Sequence, residues 1–199
     1  MRPTRRVLLA ALALLLVGPE AQVSQVHYES VPLEELVGQC GVLAVVTLAE
    51  PPMRQVTFTW TERDEAGIER QGQHGVVFQR FLVGEVLKAP AGALSPGQLV
   101  EVHHPDVVDG LQLSLEYELS GLSISPIYFA YDEGVNLSTP GQQGIACLAT
   151  PTALTSTPER FAASHAQLAE HLAGTWSLAV GGSIIDLAKR AEVEALLAR

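Results

Sequence analysis

Gly75–Lys88 reads GVVFQRFLVGEVLK, and the fold turns on how that stretch is read. Its β-branched and aromatic content argues for a strand. Its apolar residues nevertheless occupy both parities, so a flat strand with one wet face does not describe it. Gly84 lies in the middle and predicts a bend or bulge there. Downstream, Ala89–Gly97 is a Pro/Gly-rich loop, and Gln98–His103 reads as a short strand with Val100 and Val102 facing inward.

Upstream, Gly41–Glu50 (GVLAVVTLAE) is an unbroken apolar run of central-strand length ended by Pro51-Pro52. Val56, Phe58 and Trp60 alternate with Thr57 and Thr59, which predicts a second strand. Thr61–Gly75, charged and glycine-containing, is expected to be an exposed hairpin connection. Residues 22–37 form a polar lead-in whose VPLEELVG segment predicts one helical turn. After the central region, Leu111, Leu113, Leu115, Tyr117 and Leu119 alternate with polar residues, and this period of two predicts a half-buried strand. It follows a turn expected at Asp109-Gly110. Ile124–Tyr131 and Gly144–Leu148 predict further strands, the first with Pro126 at an edge or bulge.

Helix signals come last. Thr157-Pro158-Glu159 marks a helix start running into Arg160–Ala173 and stopping at Gly174. Ser183 is expected to open a second helix, Ile184–Ala198, with Ile184, Ala188, Ala191 and Ala195 along a narrow apolar face. Strands first and helices last predict a mainly β chain with C-terminal helices, an α+β arrangement.

The series Val77-Phe78 through Val83-Gly84-Glu85-Val86-Leu87-Lys88, a loop, then Gly97-Gln98-Leu99-Val100-Glu101-Val102 resembles the core pattern of netrin-like domains. These are secreted OB-fold barrels related to tissue inhibitors of metalloproteases. Val42–Leu48 after a cysteine, Ile127-Tyr128-Phe129-Ala130, and Cys147 followed by Thr157–Leu172 are similar to further parts of that pattern. The resemblance spans about Gly38–Gly174 and implies a closed or partly open OB-like β-barrel with one or two helices packed on it. The glycine expected after the lysine is Ala89 here. The inhibitors grip a catalytic zinc through a cysteine at the mature N-terminus. Here Cys40 stands well inside the chain, so the resemblance extends to the fold and not to that activity.

Residues 1–21 have the layout of a signal peptide: Arg2, Arg5 and Arg6, an apolar run Val7–Val17, the breakers Gly18-Pro19, and small Ala21 for cleavage. The run is too short for the ~20 residues that a membrane-spanning helix needs. The expected organisation is a leader at 1–21, a lead-in at 22–37, the netrin-like domain at 38–174 and a helical extension at 175–199. The whole chain carries a formal net charge of −10, with 12 basic and 22 acidic residues. An acidic surface is ill suited to neutralising phosphates, which argues against nucleic-acid binding. A hydrophobic fraction of 47% excludes wholesale disorder.

Cys40 and Cys147 are the only cysteines. In an oxidising compartment an even count predicts one disulfide between them.

The densest cluster of possible metal ligands is His103-His104-Pro105-Asp106, followed by Asp109. Adjacent strand residues point to opposite faces, so His103 and His104 can share a metal only where the strand has ended; a plain strand end is the competing reading. His165, Glu170 and His171 lack the spacing of a zinc-protease helix, and a solvated helix face is expected for them. Gly121-Leu122-Ser123 lacks the second glycine of a nucleophile elbow. Asn136-Leu137-Ser138 is a glycosylation sequon. No catalytic residue and no cofactor is assigned. The expected function is an exported, non-catalytic binding module for another protein or envelope component, using Thr61–Gly75 and Ala89–Gly97. The alternatives are a metal-dependent hydrolase built on His103, His104 and Asp106, or a protein similar to protease inhibitors.

Overall fold

The computed structural model describes residues 27–121, 127–149 and 161–199. The leader, Ser123 and the helix start at Thr157-Pro158 lie outside the described residues. In chain order the elements are β1 His27–Ser30, α1 Leu33–Gln39, β2 Val42–Arg63, β3 Glu69–Lys88, β4 Leu99–His103 and α2 Val107–Ser120. There follow β5 Ile127–Ala130, β6 Gln143–Ala149, α3 Ala162–Leu172, β7 Trp176–Leu178, β8 Ile184–Ile185, a 3₁₀ turn at Leu187–Lys189, and α4 Arg190–Leu197. The described chain is thus mostly β, with a helix at its C-terminal end.

In the main sheet β2 pairs antiparallel with β3, β3 with β4, and β6 with β7, while β4 and β7 run parallel. The inner half of β2 also pairs antiparallel with β6, from Val42 opposite Leu148 to Thr47 opposite Gln143. β8 adds to the far side of β6. A parallel pair, β1 with β5, joins this sheet through a bridge from Ala130 to Gly181. The segment expected as a helical extension therefore contributes two strands, β7 and β8.

The two halves of β2 follow two burial regimes. Val42 through Val46 are buried on both parities, as the unbroken apolar run predicts. Beyond Pro51-Pro52, Phe58 and Trp60 are buried while Thr57 and Thr59 are exposed. The prolines do not end the strand, which corrects the expectation of two separate strands. Leu48 stands opposite Phe81 and Met53 opposite Gln79, so Ala49–Pro52 bulge out across from Arg80. A bulge tolerates residues without an N–H, and Arg80 donates to the Pro51 carbonyl at 3.4 Å. The bulge at Gly84 is where the sequence puts it: Val45 faces Glu85 and Val46 faces Val83, leaving Gly84 unopposed.

The hairpin connection is shorter than Thr61–Gly75. Pairing continues to Arg63 opposite Glu69. The turn is tied by Asp64, whose carboxylate accepts the Ala66 and Ile68 N–H groups at 3.0 and 2.9 Å and Arg70 Nε at 3.0 Å. β2 and β3 thereby form a two-stranded ribbon extending past the rest of the sheet.

The largest correction concerns Leu111–Leu119, which is the body of helix α2 and not a strand. Leu111, Leu115 and Leu119 satisfy a spacing of four as well as of two, and these three are the buried positions; Tyr117 is 58% exposed. The stretch holds no β-branched residue to favour a strand. Asp109-Gly110, expected as a turn, lies in the first turn of the helix. Gly121 ends α2 in the left-handed conformation, φ 65°, with its N–H bonded to the Tyr117 carbonyl.

The C-terminal helix is also corrected. It does not start at Ser183: Ile184-Ile185 pair with β6, and Asp186 accepts the Ala188 N–H at 2.9 Å to start the 3₁₀ turn. Two adjacent β-branched residues suit a strand better than a helix start. Ala188, Ala191 and Ala195 are exposed, and α4 buries Val193 instead.

Three apolar clusters result. The first takes one parity of β2 (Val42, Ala44, Val46, Leu48) with Phe81, Val83, Val100, Val102, Leu148 and Leu178. The second takes the other parity (Leu43, Val45) with Leu36 and Val37 of α1, Ile145, Ile185 and Val193. It contains the disulfide Cys40–Cys147, with Cα atoms 5.4 Å apart. The third cluster lies between the inner face of the ribbon (Phe58, Trp60, Val76, Phe78) and helices α2 and α3. Among the described residues no helix is long and apolar enough to cross a membrane.

Candidate functional site

His103 and His104 do not converge. His103 ends β4 with its ring buried, edge-on to Phe78 at 6.1 Å between ring centres. Its Nδ1–H donates to the His104 carbonyl at 2.8 Å, and Nε2 is buried without a hydrogen-bond partner. Burial pushes the imidazole below its ordinary pKa. The neighbouring His104 is exposed, with Nδ1 3.2 Å from an Asp106 carboxylate oxygen. One ring inside and the next outside is what strand alternation requires of adjacent residues. Among the described residues no group of three or more His, Cys, Asp or Glu side chains comes together as a metal site. Asp109 is carried off into α2.

The His165, Glu170, His171 trio is not a solvated face, which corrects that expectation. His165 is only 2% exposed and shares a buried stripe with Leu168 and Leu172, three and seven residues on. His171 packs its ring 5.6 Å from that of Phe58, and Glu170 alone of the three is exposed. Sequence spacing excluded a zinc helix but missed this stripe. Its signal was present in the i, i+3, i+7 run of His165, Leu168 and Leu172.

The outward face of the ribbon is the most distinctive exposed surface. On β2 it presents Met53, Gln55, Thr57, Thr59 and Thr61, all at exposed positions; opposite them on β3 stand Gln79, Val77, Gly75, Gln73 and Gln71. No charged side chain falls in these five rows, although the chain as a whole carries −10. Met53 and Val77 are 58% and 46% exposed. The alternation Thr57, Thr59 was legible in the sequence. Its continuation through Thr61, Gln71 and Gln73 was hidden inside what read as a loop.

Charge returns to this face only at the ribbon's tip, where Arg63 stands opposite Glu69, and the opposite face carries an ion pair. Arg54 makes a two-pronged contact with Glu101, Nε to Oε1 at 2.8 Å and Nη2 to Oε2 at 2.5 Å, with its guanidinium 4.4 Å from the Phe78 ring centre. The Arg54 hydrogen bond holds the Glu101 carboxyl below the usual carboxylate range, against the opposing effect of partial burial.

The Ala89–Gly97 loop is mostly exposed, with Leu94 buried in the first cluster as its anchor. In the sequon, Asn136 is exposed and Leu137 is buried. Of the strand aromatics Phe58, Trp60, Phe78 and Phe81 are buried, as is Tyr131 just past β5, whereas Phe129 is 53% exposed. A comparison with protein-family models and with curated proteins returned no match.

Proposed function

We propose that this chain is an exported, non-catalytic binding module that recognises another protein or envelope component through the outward face of the β2–β3 ribbon. The single observation that carries this reading is the uncharged, exposed array Gln55, Thr57, Thr59, Thr61, Gln71 and Gln73, with Met53 and Val77 beside it. Interface centres are depleted of charge and enriched in methionine relative to the rest of a protein surface. A threonine and glutamine face supplies hydrogen-bond donors, acceptors and methyl groups without the desolvation cost of ions.

An OB-like barrel of the netrin-like kind is the architecture proposed beneath the ribbon. Its support is the cycle of pairings β2–β3, β3–β4, β4–β7, β7–β6 and β6–β2, a ring of five strands. Export is supported by the leader-like residues 1–21 and by a disulfide formed from the only two cysteines in the chain.

The test is affinity capture from culture medium and envelope fractions with the tagged protein, run beside Thr59→Lys/Gln73→Lys. The expected result is a stoichiometric partner held by the unaltered face and lost from the variant, whose circular dichroism and melting temperature stay the same. Retention of that partner by the variant would overturn the ribbon assignment. Hydrolytic activity tied to a stoichiometric metal, both lost in His103→Ala/His104→Ala, would overturn the non-catalytic reading.

A further inference from the structure

Among the described residues, His165 is the histidine buried with both ring nitrogens lacking a hydrogen-bond partner. It sits in the joint where α3 packs on the ribbon. Two further rings flank the same cluster: His74 of β3 and His171 of α3 each stand 5.6 Å from Phe58. We infer that the α3–ribbon joint is an acid-sensitive latch, in which protonation of His165 releases α3 from the ribbon and uncovers Phe58, Trp60, Leu168 and Leu172, while the disulfide-linked remainder of the sheet stays folded.

The surroundings of His165 favour its neutral form. It is the fourth residue of α3, so its ring lies near the positive end of the helix, where an added positive charge is disfavoured. From the ribbon it faces Glu62, but that carboxylate is already engaged: Oε1 accepts both the Ser164 N–H at 3.2 Å and the Ser164 hydroxyl at 2.6 Å. From α2 the cluster receives Leu111, Leu115 and Leu119, none of them charged. From β4 it receives the buried His103 against Phe78, and above Phe78 lies Arg54, held by Glu101. Glu62, the carboxylate that acts on the His165 ring, is thus shared with Ser164.

Burial lowers the proton affinity of His165 and of His74, and Glu62 opposes this only in part at His165. The sign follows directly. A group that binds protons more weakly in the closed joint than in the open one takes up a proton on opening, so a falling pH favours opening. The joint is at full strength above the ordinary imidazole value of about 6.5 and loosens as pH falls below it. Each histidine that gains a proton on opening contributes a tenfold change in the opening equilibrium per pH unit, within that window.

The experiment is native-state hydrogen exchange of the full chain between pH 7.5 and 5, corrected for intrinsic rates. Protection of the α3 amides should fall by up to tenfold per pH unit, while α4, which packs on the second cluster, keeps its protection. In His165→Leu the pH dependence of α3 protection should shrink by the share that His165 contributes, leaving at most the shallower slope of His74. An unchanged α3 pH dependence in His165→Leu, or flat protection in the unaltered protein, would overturn the inference. Should the variant fail to fold, the His165 ring titration by NMR decides: a midpoint at the ordinary value with no loss of α3 protection rejects the latch.

Discussion

The Trp60 indole occupies the space that a side chain at Gly72 would need. The two residues are cross-strand partners in the ribbon, and a Cβ at Gly72 would lie 2.2 Å from Cζ2 and 2.5 Å from Cε2 of Trp60. Trp60 is buried at 3% exposure in the third cluster, so the ring has no solvent to move into.

Gly72→Ala is therefore expected to destabilise by about 1–3 kcal/mol, the usual cost of overpacking a filled core. This reverses the ordinary gain from replacing glycine inside a strand. Urea denaturation midpoints measure the effect, and Trp60→Leu in the same chain should recover part of the loss. An increase in stability for Gly72→Ala alone would refute the assigned packing.

Leu115 and Tyr117 stand two apart, and a strand would place them on the same side. The helix separates them, with Leu115 fully buried and Tyr117 exposed. Leu115→Ala should then cost about 2–5 kcal/mol, and Tyr117→Ser should change stability by less than about 0.5 kcal/mol. Thermal unfolding of the two variants decides between helix and strand: comparable losses would restore the strand.

The Cys40–Cys147 crosslink spans a sequence separation of 107 residues. Chain-entropy arguments assign about 4–5 kcal/mol to closing a loop of that order. The Cys40→Ala/Cys147→Ala protein, or the native protein under reductant, should show a lower guanidinium midpoint by a corresponding amount. Equal midpoints with and without reductant would mean that the bond contributes nothing to folding.

How much of this was legible in the sequence depends on whether one periodicity stood alone. The inner half of β2 was readable because the unbroken apolar run Val42–Val46, about 16 Å of chain at about 3.3 Å per residue, admits few alternatives. Gly84 was readable because a lone glycine in a strand pattern has a local meaning. The helix α2 was not, because leucines at 111, 115 and 119 fit two periods and only packing against α3 and the ribbon selects one. The strands β7 and β8, of three and two residues, are too short to carry a period at all. At the site, alternation revealed Thr57 and Thr59, but the ribbon's far end was masked by charges that the hairpin turn itself supplies. The buried stripe of His165 was written in its spacing to Leu168 and Leu172, but a histidine heading that stripe reads as polar until its tertiary contact with the ribbon is known.

The crosslink also decides what a protease can accomplish. Cys40 precedes the ribbon and Cys147 follows it, so a single cut at the exposed hairpin tip, between Glu65 and Ala66, falls inside the covalent ring. The two fragments would stay joined and keep both apolar clusters that the ribbon's base supports. A nicked molecule would thus run as one band without reductant and as two with it, with its display surface severed at the tip but still tethered to the body.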